Sequence, residues 1–287
     1  MDRTAPRLFV APEQLPAAGE LILEGPTQHY LGRVLRLGPG DRVVLLDGRG
    51  RICAATVTRF ETAQVVLRLD APDATPDATP ERGEQPPLPG PRLVLLCGLL
   101  KGEKQDFVVQ KATELGAAAI VPVACQRSVP QLGEERGEKR QQRWQRIALA
   151  AAQQCRRVDI PRVTAPASWS EAMTGHAAAP PAQSPSPAGE SLRLLLYEGA
   201  APPLGAVLER LPLPAAGAAP VIELLIGPEG GFTAAEVQSA LAAGFVPVSL
   251  GPLTLRAETA AVVALGVVRY ALSVRAATAS PVDGDSA

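Results

Sequence analysis

The first seventy positions contain short apolar runs separated by turn-forming residues. Four of these runs are rich in valine, isoleucine and leucine, as is typical of β-strands, and residues 27–37 form the one stretch predicted to be helical. Turns at Pro39-Gly40-Asp41 and Asp47-Gly48-Arg49-Gly50 supply hairpin chemistry. The pattern predicts a small β-barrel over residues 1–70. Its predicted strands are Leu21–Leu23, Arg42–Leu46, Ile52–Val57 and Val65–Leu69, and its predicted helix is Thr27–Leu37.

The pattern of hydrophobic and polar residues changes at Arg92. From there to Arg275, apolar runs alternate with longer stretches of helical periodicity. This order predicts an α/β domain in which crossover helices cover a mostly parallel sheet. The predicted strands are Arg92–Leu96, Ala119–Pro122, Leu192–Tyr197, Val221–Ile226 and Pro247–Leu250. The predicted helices are Asp106–Leu115, Arg136–Cys155, Leu204–Leu211, Thr233–Ala243 and Thr259–Ser273.

Three segments are poor in large apolar residues and are predicted to lie outside the folded domains. Residues 71–91, rich in Pro, Asp, Thr and Glu, are predicted to form an interdomain linker. Residues 177–189 are rich in Ala, Pro and Ser and are predicted to be a disordered insertion, and residues 276–287 a disordered tail. The predicted organisation is therefore a barrel over 1–70 and an α/β domain over 92–275.

The composition indicates a folded, soluble protein, because 287 residues with 46% hydrophobic content can form the cores of two domains. The start, Met1-Asp2-Arg3-Thr4, lacks a secretory signal, and Arg269 interrupts the apolar stretch from Ala260 to Val274. We therefore expect a cytoplasmic protein without a membrane span. The cysteines lack CxxC spacing, so we expect no metal site and no disulfide, only buried, reduced thiols at Cys53, Cys97, Cys125 and Cys155.

Basic residues are unevenly distributed, although the formal net charge is only -1. The segment His29–Arg59 carries six arginines against two aspartates, and Arg136–Arg162 carries eight basic residues against two acidic ones. Such clusters either contact RNA or form ordinary solvated surfaces, as most charge runs do. Charge alone does not decide between these two interpretations.

Two loop motifs near the C-terminus each follow an apolar run and lead into a predicted helix. The first has the sequence Ile-Gly-Pro-Glu-Gly-Gly-Phe-Thr over residues 226–233, and its glycines allow a ligand to approach the backbone closely. Thr233 can cap the helix that follows. The motif is neither a P-loop nor a dinucleotide fingerprint. The alternative interpretation is a structural turn.

The second motif, residues 250–260, places Arg256 and Glu258 just ahead of an apolar helix that Thr259 can cap. An arginine at the positive end of a helix is unfavourable for the helix, which favours a role in contacting substrate. A surface ion pair between Arg256 and Glu258 is the structural alternative. The two motifs together predict two walls of one ligand site.

A third polar segment, Lys101–Gly116, follows a predicted strand and runs into an amphipathic helix closed by Gly116. Ligands of open α/β sheets bind at the carboxyl ends of the strands, so Lys101, Lys104 and Lys111 are placed to meet phosphate. A solvated helix start explains the same residues equally well.

Taken together, these segments resemble the RsmE-type 16S ribosomal RNA uracil-N3 methyltransferases of the SPOUT superfamily. The resemblance covers nearly the whole chain outside residues 71–91, 177–189 and the tail. Besides the motifs above, the similar segments are Arg7-Leu8-Phe9, His29 with Val34-Leu35-Arg36, Gln126-Arg127-Ser128, Arg143-Trp144, and Ala151-Ala152-Gln153-Gln154-Cys155-Arg156-Arg157.

The resemblance implies an α/β fold with an N-terminal PUA-like β-barrel for RNA and a C-terminal SPOUT domain, an α/β domain tied in a trefoil knot. It also implies a homodimer that acts on 16S rRNA of the small ribosomal subunit. S-adenosyl-L-methionine is expected in the knot, held by backbone groups of three loops. The implied cofactor-binding residues are Leu196, Glu198, Gly199, Ile226, Gly227, Pro228, Glu229, Gly230, Gly231, Leu250, Gly251 and Leu255, and the implied RNA-binding residues are Arg33, Arg36, Lys101, Lys104, Arg127 and Arg156.

Methylation of uracil N3 requires that the N3 proton be lost and that the base be held in line with the methyl donor. Arg256 is the main catalytic candidate because a guanidinium stabilises the charge that spreads onto a uracil oxygen. Glu258 or Glu229 is expected to accept the proton, directly or through water. Related sequences often carry arginine where this chain has Leu253, and Arg127 or Arg156 can substitute for it here.

Two alternatives to this function remain open at the level of sequence. The first alternative is a noncatalytic RNA-binding or ribosome-assembly module with the same fold. The second is a SPOUT methyltransferase that acts on another RNA, such as tRNA or 23S rRNA. Binding of S-adenosylmethionine separates the first alternative from an enzyme.

Overall fold

The structure is a computed structural model, and it describes residues 5–70, 91–128, 134–174, 191–210 and 221–279. The chain divides into two compact units. The first comprises Met1–Leu88 with Ala152–Ile160, and the second comprises Pro89–Ala151 with Pro161–Ala287. The predicted linker, apart from Pro91, the predicted insertion, and residues 280–287 of the predicted tail lie outside the described residues.

The first unit contains a five-stranded sheet in the order β1-β3-β4-β5-β2. Strands β1 and β3 are parallel, and the other neighbours are antiparallel. The sheet buries one apolar core that includes Leu31, Leu45 and Leu67, as expected where apolar and polar residues alternate. The strands are β1 (Arg7–Phe9), β2 (Glu20–Glu24), β3 (Arg42–Leu46), β4 (Ile52–Phe60) and β5 (Gln64–Leu69).

The helical segment of this unit is shorter and less regular than the prediction for Thr27–Leu37. A single α-helical turn, α1 (Pro26–His29), continues into a π-helical turn over Tyr30–Val34. The backbone N–H of Leu35 donates to the carbonyl of Tyr30, five residues back, which is the hydrogen bond of a π-helix. Hydrophobic periodicity located the segment but did not distinguish these helix types.

The second unit is built on a parallel sheet in the order β12-β10-β11-β6-β7-β8, with β9 also paired to β7. Its central strands are buried along most of their length, which explains their near-continuous apolar sequences. The strands are β6 (Arg92–Gly98), β7 (Ala117–Ala124), β8 (Arg162–Val163), β9 (Ala167–Ser168), β10 (Leu192–Leu196), β11 (Val221–Ile226) and β12 (Val246–Val248).

The helices largely follow the predicted segments, with differences at their ends. They are α2 (Glu103–Glu114), α3 (Glu134–Gln154), α4 (Trp169–Met173), α5 (Leu204–Glu209), α6 (Ala234–Ala242) and α7 (Ala257–Ala279). Helix α4 and strands β8 and β9 were not predicted, because they are too short to show a period. The prediction that Thr259 caps α7 is wrong, since the helix begins two residues earlier. Helix α7 also continues to Ala279, so residues 276–279, the first four of the predicted disordered tail, are helical.

Helix α7 packs one face into the second unit and leaves another face open. The buried face consists of Ala257, Ala261, Ala264, Leu265, Val268 and Leu272. Arg269 donates a hydrogen bond to the carbonyl of Gly116 at 2.8 Å, which ties the helix to the end of α2. Among the described residues, α7 is the one helix whose length and composition would allow it to cross a membrane, with a mean hydropathy of 1.5 over Ala257–Arg275. One face of the helix packs in the core of this unit, and the rest of its described apolar surface is partly or fully exposed.

Candidate functional site

The carboxyl ends of the parallel strands open onto a cavity of about 610 Å³ in the second unit. This is the edge at which open α/β sheets bind ligands, and the volume suits a cofactor-sized molecule. Three stretches supply most of its wall, one after each of β10, β11 and β12. The residues that line the cavity are Lys104, Arg127, Leu196, Tyr197, Glu198, Ile226, Gly227, Pro228, Glu229, Gly230, Gly231, Phe232, Val248, Ser249, Leu250, Gly251, Pro252, Leu253, Thr254, Leu255, Arg256, Ala257 and Ala260.

Every predicted cofactor-binding residue lines this cavity except Gly199. A Cβ atom on Gly199 would lie 2.4 Å from Cε1 of Tyr197, so the glycine leaves room for that ring, which does line the cavity. Phe232, Ala257 and Ala260 belong to the two predicted loop motifs, although not to the narrower cofactor loops that the resemblance implies. Val248 and Ser249 were predicted only as part of the strand Pro247–Leu250, and their position at the sheet edge brings them to the cavity.

The glycine-rich loop after β11 lies directly against the end of β6. A Cβ atom on Gly98 would be 2.5 Å from the nitrogen of Pro228, a distance that no side chain tolerates. Within the loop, the N–H of Gly231 donates to the carbonyl of Pro228 at 2.9 Å, and Gly231 has a φ of 67°. The loop is therefore a tight turn, and its residues from Gly227 to Phe232 line the cavity.

Arg127 holds the same loop from the side. Its Nη1 donates to the carbonyl oxygen of Gly230 at 3.0 Å and to that of Phe232 at 3.4 Å. A Cβ atom on Gly230 would be only 3.0 Å from Cβ of Arg127, so the two chain segments pack closely. Arg127 was predicted to bind RNA; in the structure its guanidinium is engaged, at least in part, by the loop backbone.

The helix that follows the loop begins with a capping box. Oγ1 of Thr233 accepts a hydrogen bond from the N–H of Glu236 at 3.2 Å, and the Glu236 carboxylate accepts one from the N–H of Thr233 at 2.8 Å. The predicted cap at Thr233 is confirmed. The other oxygen of buried Glu236 accepts from the N–H of Gln126 at 2.7 Å, which joins the turn carrying Arg127 to α6.

One ammonium and two carboxylates lie together beside this cavity: Lys104 and Glu229 line it, whereas Glu258, a predicted catalytic residue, does not. Nζ of Lys104 is 3.3 Å from Oε1 of Glu229 and 3.5 Å from Oε1 of Glu258. The surface ion pair considered between Arg256 and Glu258 is not formed, because Glu258 pairs with Lys104 instead. Oε2 of Glu258 is enclosed and has no hydrogen-bond partner among the described residues. An enclosed carboxylate oxygen without a donor carries an uncompensated desolvation cost, which makes Glu258 unusual among the described acidic residues.

Glu229 is held in its ionised form. Burial acts most strongly on its carboxylate and raises the pKa, but several favourable contacts together outweigh burial and leave the pKa lowered. These contacts are the backbone N–H of Lys101, which donates to Oε1 at 3.2 Å, the N–H of Glu229 itself, and the ammonium of Lys104. Glu229 thus already has its donors, whereas Glu258 has acceptor capacity left.

Arg256 and Leu253 lie on the exposed part of the cavity wall. Arg256 directly precedes α7, as the sequence predicted, and no hydrogen bond or ion pair engages its guanidinium within the described part of the chain. Leu253 is 77% exposed, so its side chain contributes little to packing. Arg127, proposed as a substitute for an arginine at position 253, lines the same cavity.

The other predicted RNA-binding residues lie on surfaces. Lys101 is exposed at the start of α2, whereas Lys104 is half-buried in the carboxylate cluster. Arg33, Arg36 and Arg156 are exposed residues of the first unit. Arg36 and Arg156 have φ values of 55° and 61°, a left-handed conformation that is unusual for arginine.

All four cysteines are free thiols, and they are less uniformly buried than the sequence predicted. Cys97 and Cys125 are buried, while Cys53 and Cys155 are partly exposed. Burial raises the pKa of Cys97 above its ordinary range and that of Cys125 to about 12, so both thiols are neutral and unreactive. The described residues contain no group of three or more His, Cys, Asp or Glu side chains that could hold a metal ion.

Comparison with known proteins connects both units to RNA modification. Residues 86–269 match an RNA methyltransferase domain, and residues 23–68 match an RNA methyltransferase PUA domain. The chain is 37% identical over 269 residues to a ribosomal RNA small subunit methyltransferase E from Synechocystis, covering 93% of this chain and 78% of that protein. The protein of the same description from Bacillus subtilis is 28% identical, with 90% and 93% of the two chains covered.

Comparison with solved structures also finds methyltransferases. The crystal structure of a ribosomal RNA small subunit methyltransferase E from Neisseria gonorrhoeae, bound to S-adenosyl methionine, matches with a TM-score of 0.70 at 29% identity. The match covers 93% of this chain and 98% of that chain. A methyltransferase structure from Legionella pneumophila, also in complex with this cofactor, matches with a TM-score of 0.71 at 28% identity over 93% and 98% of the two chains.

Proposed function

The chain belongs to the RNA methyltransferase family, and we propose that it transfers the methyl group of S-adenosyl-L-methionine to N3 of a uracil in 16S rRNA. The predicted fold class is confirmed: the protein is an α/β SPOUT methyltransferase with a PUA-like N-terminal domain. The trefoil knot itself stays a prediction. The observation that carries the proposed function is the cavity, which three loops enclose at the carboxyl edge of the sheet.

The residues around the cavity fit the cofactor. Gly227, Gly230 and Gly231 present bare backbone on one wall, where a purine and a ribose can approach main-chain donors and acceptors without obstruction. When bound, S-adenosylmethionine supplies an electrophilic methyl group on a positively charged sulfur. The loops hold it mainly through backbone groups, and Arg127 keeps the glycine-rich loop in place. Similar enzymes from Neisseria gonorrhoeae and Legionella pneumophila bind the same cofactor.

Arg256 is proposed to stabilise the uracil as its N3 proton leaves. The guanidinium is exposed on the cavity wall and is not neutralised by Glu258, so it is available to a uracil oxygen. Arginine keeps its proton at neutral pH and therefore acts as a fixed positive charge, not as a base. Such a preorganised charge favours the anionic form of the base that attacks the methyl group.

Glu258 is the better of the two candidate proton acceptors. Oε1 of Glu229 accepts from a backbone N–H and lies close to an ammonium, whereas Oε2 of Glu258 has no hydrogen-bond partner among the described residues. Oε2 of Glu258 is enclosed and Glu258 does not line the cavity, so transfer of the N3 proton to it, directly or through a water molecule, requires a movement of this side chain or of the residues that cover it. Glu229 is proposed to stabilise the glycine-rich loop that binds the cofactor.

The target base must leave any base pair, because N3 lies on its Watson–Crick edge. Positive surfaces are proposed to hold the phosphates around it, and these include the predicted RNA contacts Arg33, Arg36, Arg156 and Lys101. Helix α3 adds a second basic surface, since its basic residues occupy one exposed face opposite buried Trp144 and Ala148. The residues of this face are Arg136, Lys139, Arg140, Arg143 and Arg146, of which Arg143 forms an ion pair with Asp106.

The proposed enzyme is a homodimer. The outer face of α7 exposes Val263, Val267, Tyr270 and Val274, which follow each other at spacings of three and four residues and so form one apolar stripe. A second copy of the chain, as the resemblance implies, is the proposed occupant of this stripe, with its residues completing each site. Tyr270→Glu should convert a dimer to monomers in light scattering, and a wild-type monomer would contradict the proposal.

The proposed partner is the small ribosomal subunit or its 16S rRNA, which places the enzyme in the cytoplasm. No metal is proposed in the reaction. Fractionation of cells expressing the tagged full-length chain should recover it with cytosol and ribosomal particles. Recovery in a membrane fraction would contradict this assignment.

Two experiments test the function directly. Calorimetry with the purified protein should detect S-adenosylmethionine binding; failure to bind would leave a noncatalytic RNA-binding or ribosome-assembly module. Mass-spectrometric mapping of 16S rRNA from cells without this protein should show the loss of one N3-methyluridine. If that modification remains while another RNA loses one, the enzyme acts on that other RNA.

A further inference from the structure

Two lysines at the start of α2 have different surroundings, although the sequence predicts the same role for both. Lys101 is exposed, and its contribution to the site is its backbone N–H, which donates to Glu229. Lys104 is only 39% exposed in its side chain, and its ammonium lies within 3.5 Å of two carboxylates. The two residues therefore offer different chemistry to a phosphate.

We infer that Lys104 is a positioning residue of the methyl-transfer site and not an RNA contact. It acts by joining Glu229, on the glycine-rich loop, to Glu258, in the first turn of α7. The inference rests on the proposed function and deepens it.

The charges in the cluster support this role. Without the ammonium, two carboxylates would face each other across the same space, in a partly buried place where like charges repel strongly. If an RNA phosphate bound Lys104 instead, the two carboxylates would face each other without a cation between them. The ammonium of Lys104 is therefore occupied by its two carboxylate partners, whereas the ammonium of Lys101 is available to solvent or to RNA.

The position of Glu258 explains how Lys104 reaches the reaction. Glu258 is two residues after Arg256, so fixing its carboxylate also fixes the start of α7 and the loop that carries the arginine. Lys104 faces Oε1 of Glu258 and leaves Oε2 as the unpaired oxygen. The ammonium therefore links the glycine-rich loop to the first turn of α7 and so fixes where that loop lies relative to Arg256.

Three variants test this assignment, each first checked for native folding by circular dichroism and thermal melting. Lys104→Met should lower the single-turnover methylation rate at saturating RNA and cofactor by about 10- to 100-fold, as small misplacements in active sites do, with RNA affinity within about twofold of wild type. Lys104→Arg should restore most of the rate, because arginine can still bridge two carboxylates. Lys101→Met, the matched loss of one charge nearby, should weaken RNA binding. If Lys104→Met weakens RNA binding as Lys101→Met does and leaves the saturated rate unchanged, the inference is wrong.

A double-mutant cycle adds a second criterion. If Lys104 acts through Glu258, the rate loss of Lys104→Met combined with Glu258→Gln should be clearly smaller than the product of the two single losses. Multiplicative losses would overturn the inference. If the wild-type protein transfers no methyl group to 16S rRNA, the proposed function fails. The affinities of the same variants for S-adenosylmethionine and for RNA still show whether Lys104 stabilises the cofactor loop or contacts RNA.

Discussion

Gly98 and Pro228 lie so close together that a single methyl group on the glycine would reach 2.5 Å from the proline nitrogen. Gly98 ends strand β6, and Pro228 is the second residue of the glycine-rich loop after the adjacent strand β11. The glycine-rich loop therefore packs directly against the edge of the sheet. The position of the loop depends on the absence of a side chain 130 positions earlier in the chain.

Gly98→Ala is expected to displace the loop and weaken S-adenosylmethionine binding by roughly 5- to 160-fold, because a buried overlap of this kind costs roughly 1–3 kcal/mol. Isothermal titration calorimetry measures the affinity. Gly205→Ala is the control, since a Cβ at that helical position meets nothing within 4 Å. Equal cofactor affinity in Gly98→Ala and wild type would show that the loop does not depend on this contact.

Arg256→Ala is expected to lower the methylation rate far more than it lowers affinity for S-adenosylmethionine. The reason is that the guanidinium is exposed on the cavity wall and is proposed to meet charge that develops only during the reaction. Rates at saturating cofactor and calorimetric affinities separate the two effects. Equal losses in both would instead make Arg256 a cofactor-binding residue.

Thr233→Ala is expected to destabilise the protein by about 1 kcal/mol, because it removes the side-chain acceptor from the capping box of α6. Urea denaturation followed by circular dichroism measures the change. Thr233→Ser keeps the oxygen and should retain most of the stability. If serine and alanine are equally destabilising, the loss comes from packing of the threonine methyl group and not from the cap.

Glu229 should make the stability of the protein depend on acid pH. Its pKa is lowered from the ordinary value of 4.5 in the folded protein, so the ionised form stabilises the fold above about that pH. The contribution is lost as pH falls through the lower, folded-state pKa. The melting temperature of wild type should therefore exceed that of Glu229→Gln near neutral pH, and the difference should shrink below about pH 4.5. A difference that stays constant across this range would contradict the ionic role.

Leu253→Arg should strengthen RNA binding and leave stability unchanged. The leucine is 77% exposed at the cavity, so its loss costs little packing, while an added cation there can meet a phosphate. Filter binding at two salt concentrations should show tighter binding with a steeper salt dependence. Leu253→Gln is the neutral control. Unchanged affinity and salt dependence would mean that RNA does not reach this wall.

Much of the fold was predictable because its signals are local. Val221–Ile226 was predicted with the observed bounds, since a buried parallel strand requires a continuous apolar run. Thr233 was predicted as a cap because the capping box lies within four consecutive residues. Local periodicity could not detect β8, β9 and α4, which span between two and five residues each.

The loops of the site were predictable as loops, and the resemblance assigned them to the cofactor. What the sequence by itself determined is which segments form buried strands, that two loop motifs follow such strands, and which charged residues lie near the strand ends. The tertiary structure alone decided that Lys104 faces Glu229 and Glu258, that Arg127 holds the carbonyl of Gly230, and that Gly199 makes room for Tyr197. These contacts depend on strand order and on the fit of one loop against another. Neither property leaves a periodic signal along the chain, because the residues that meet are often more than a hundred positions apart.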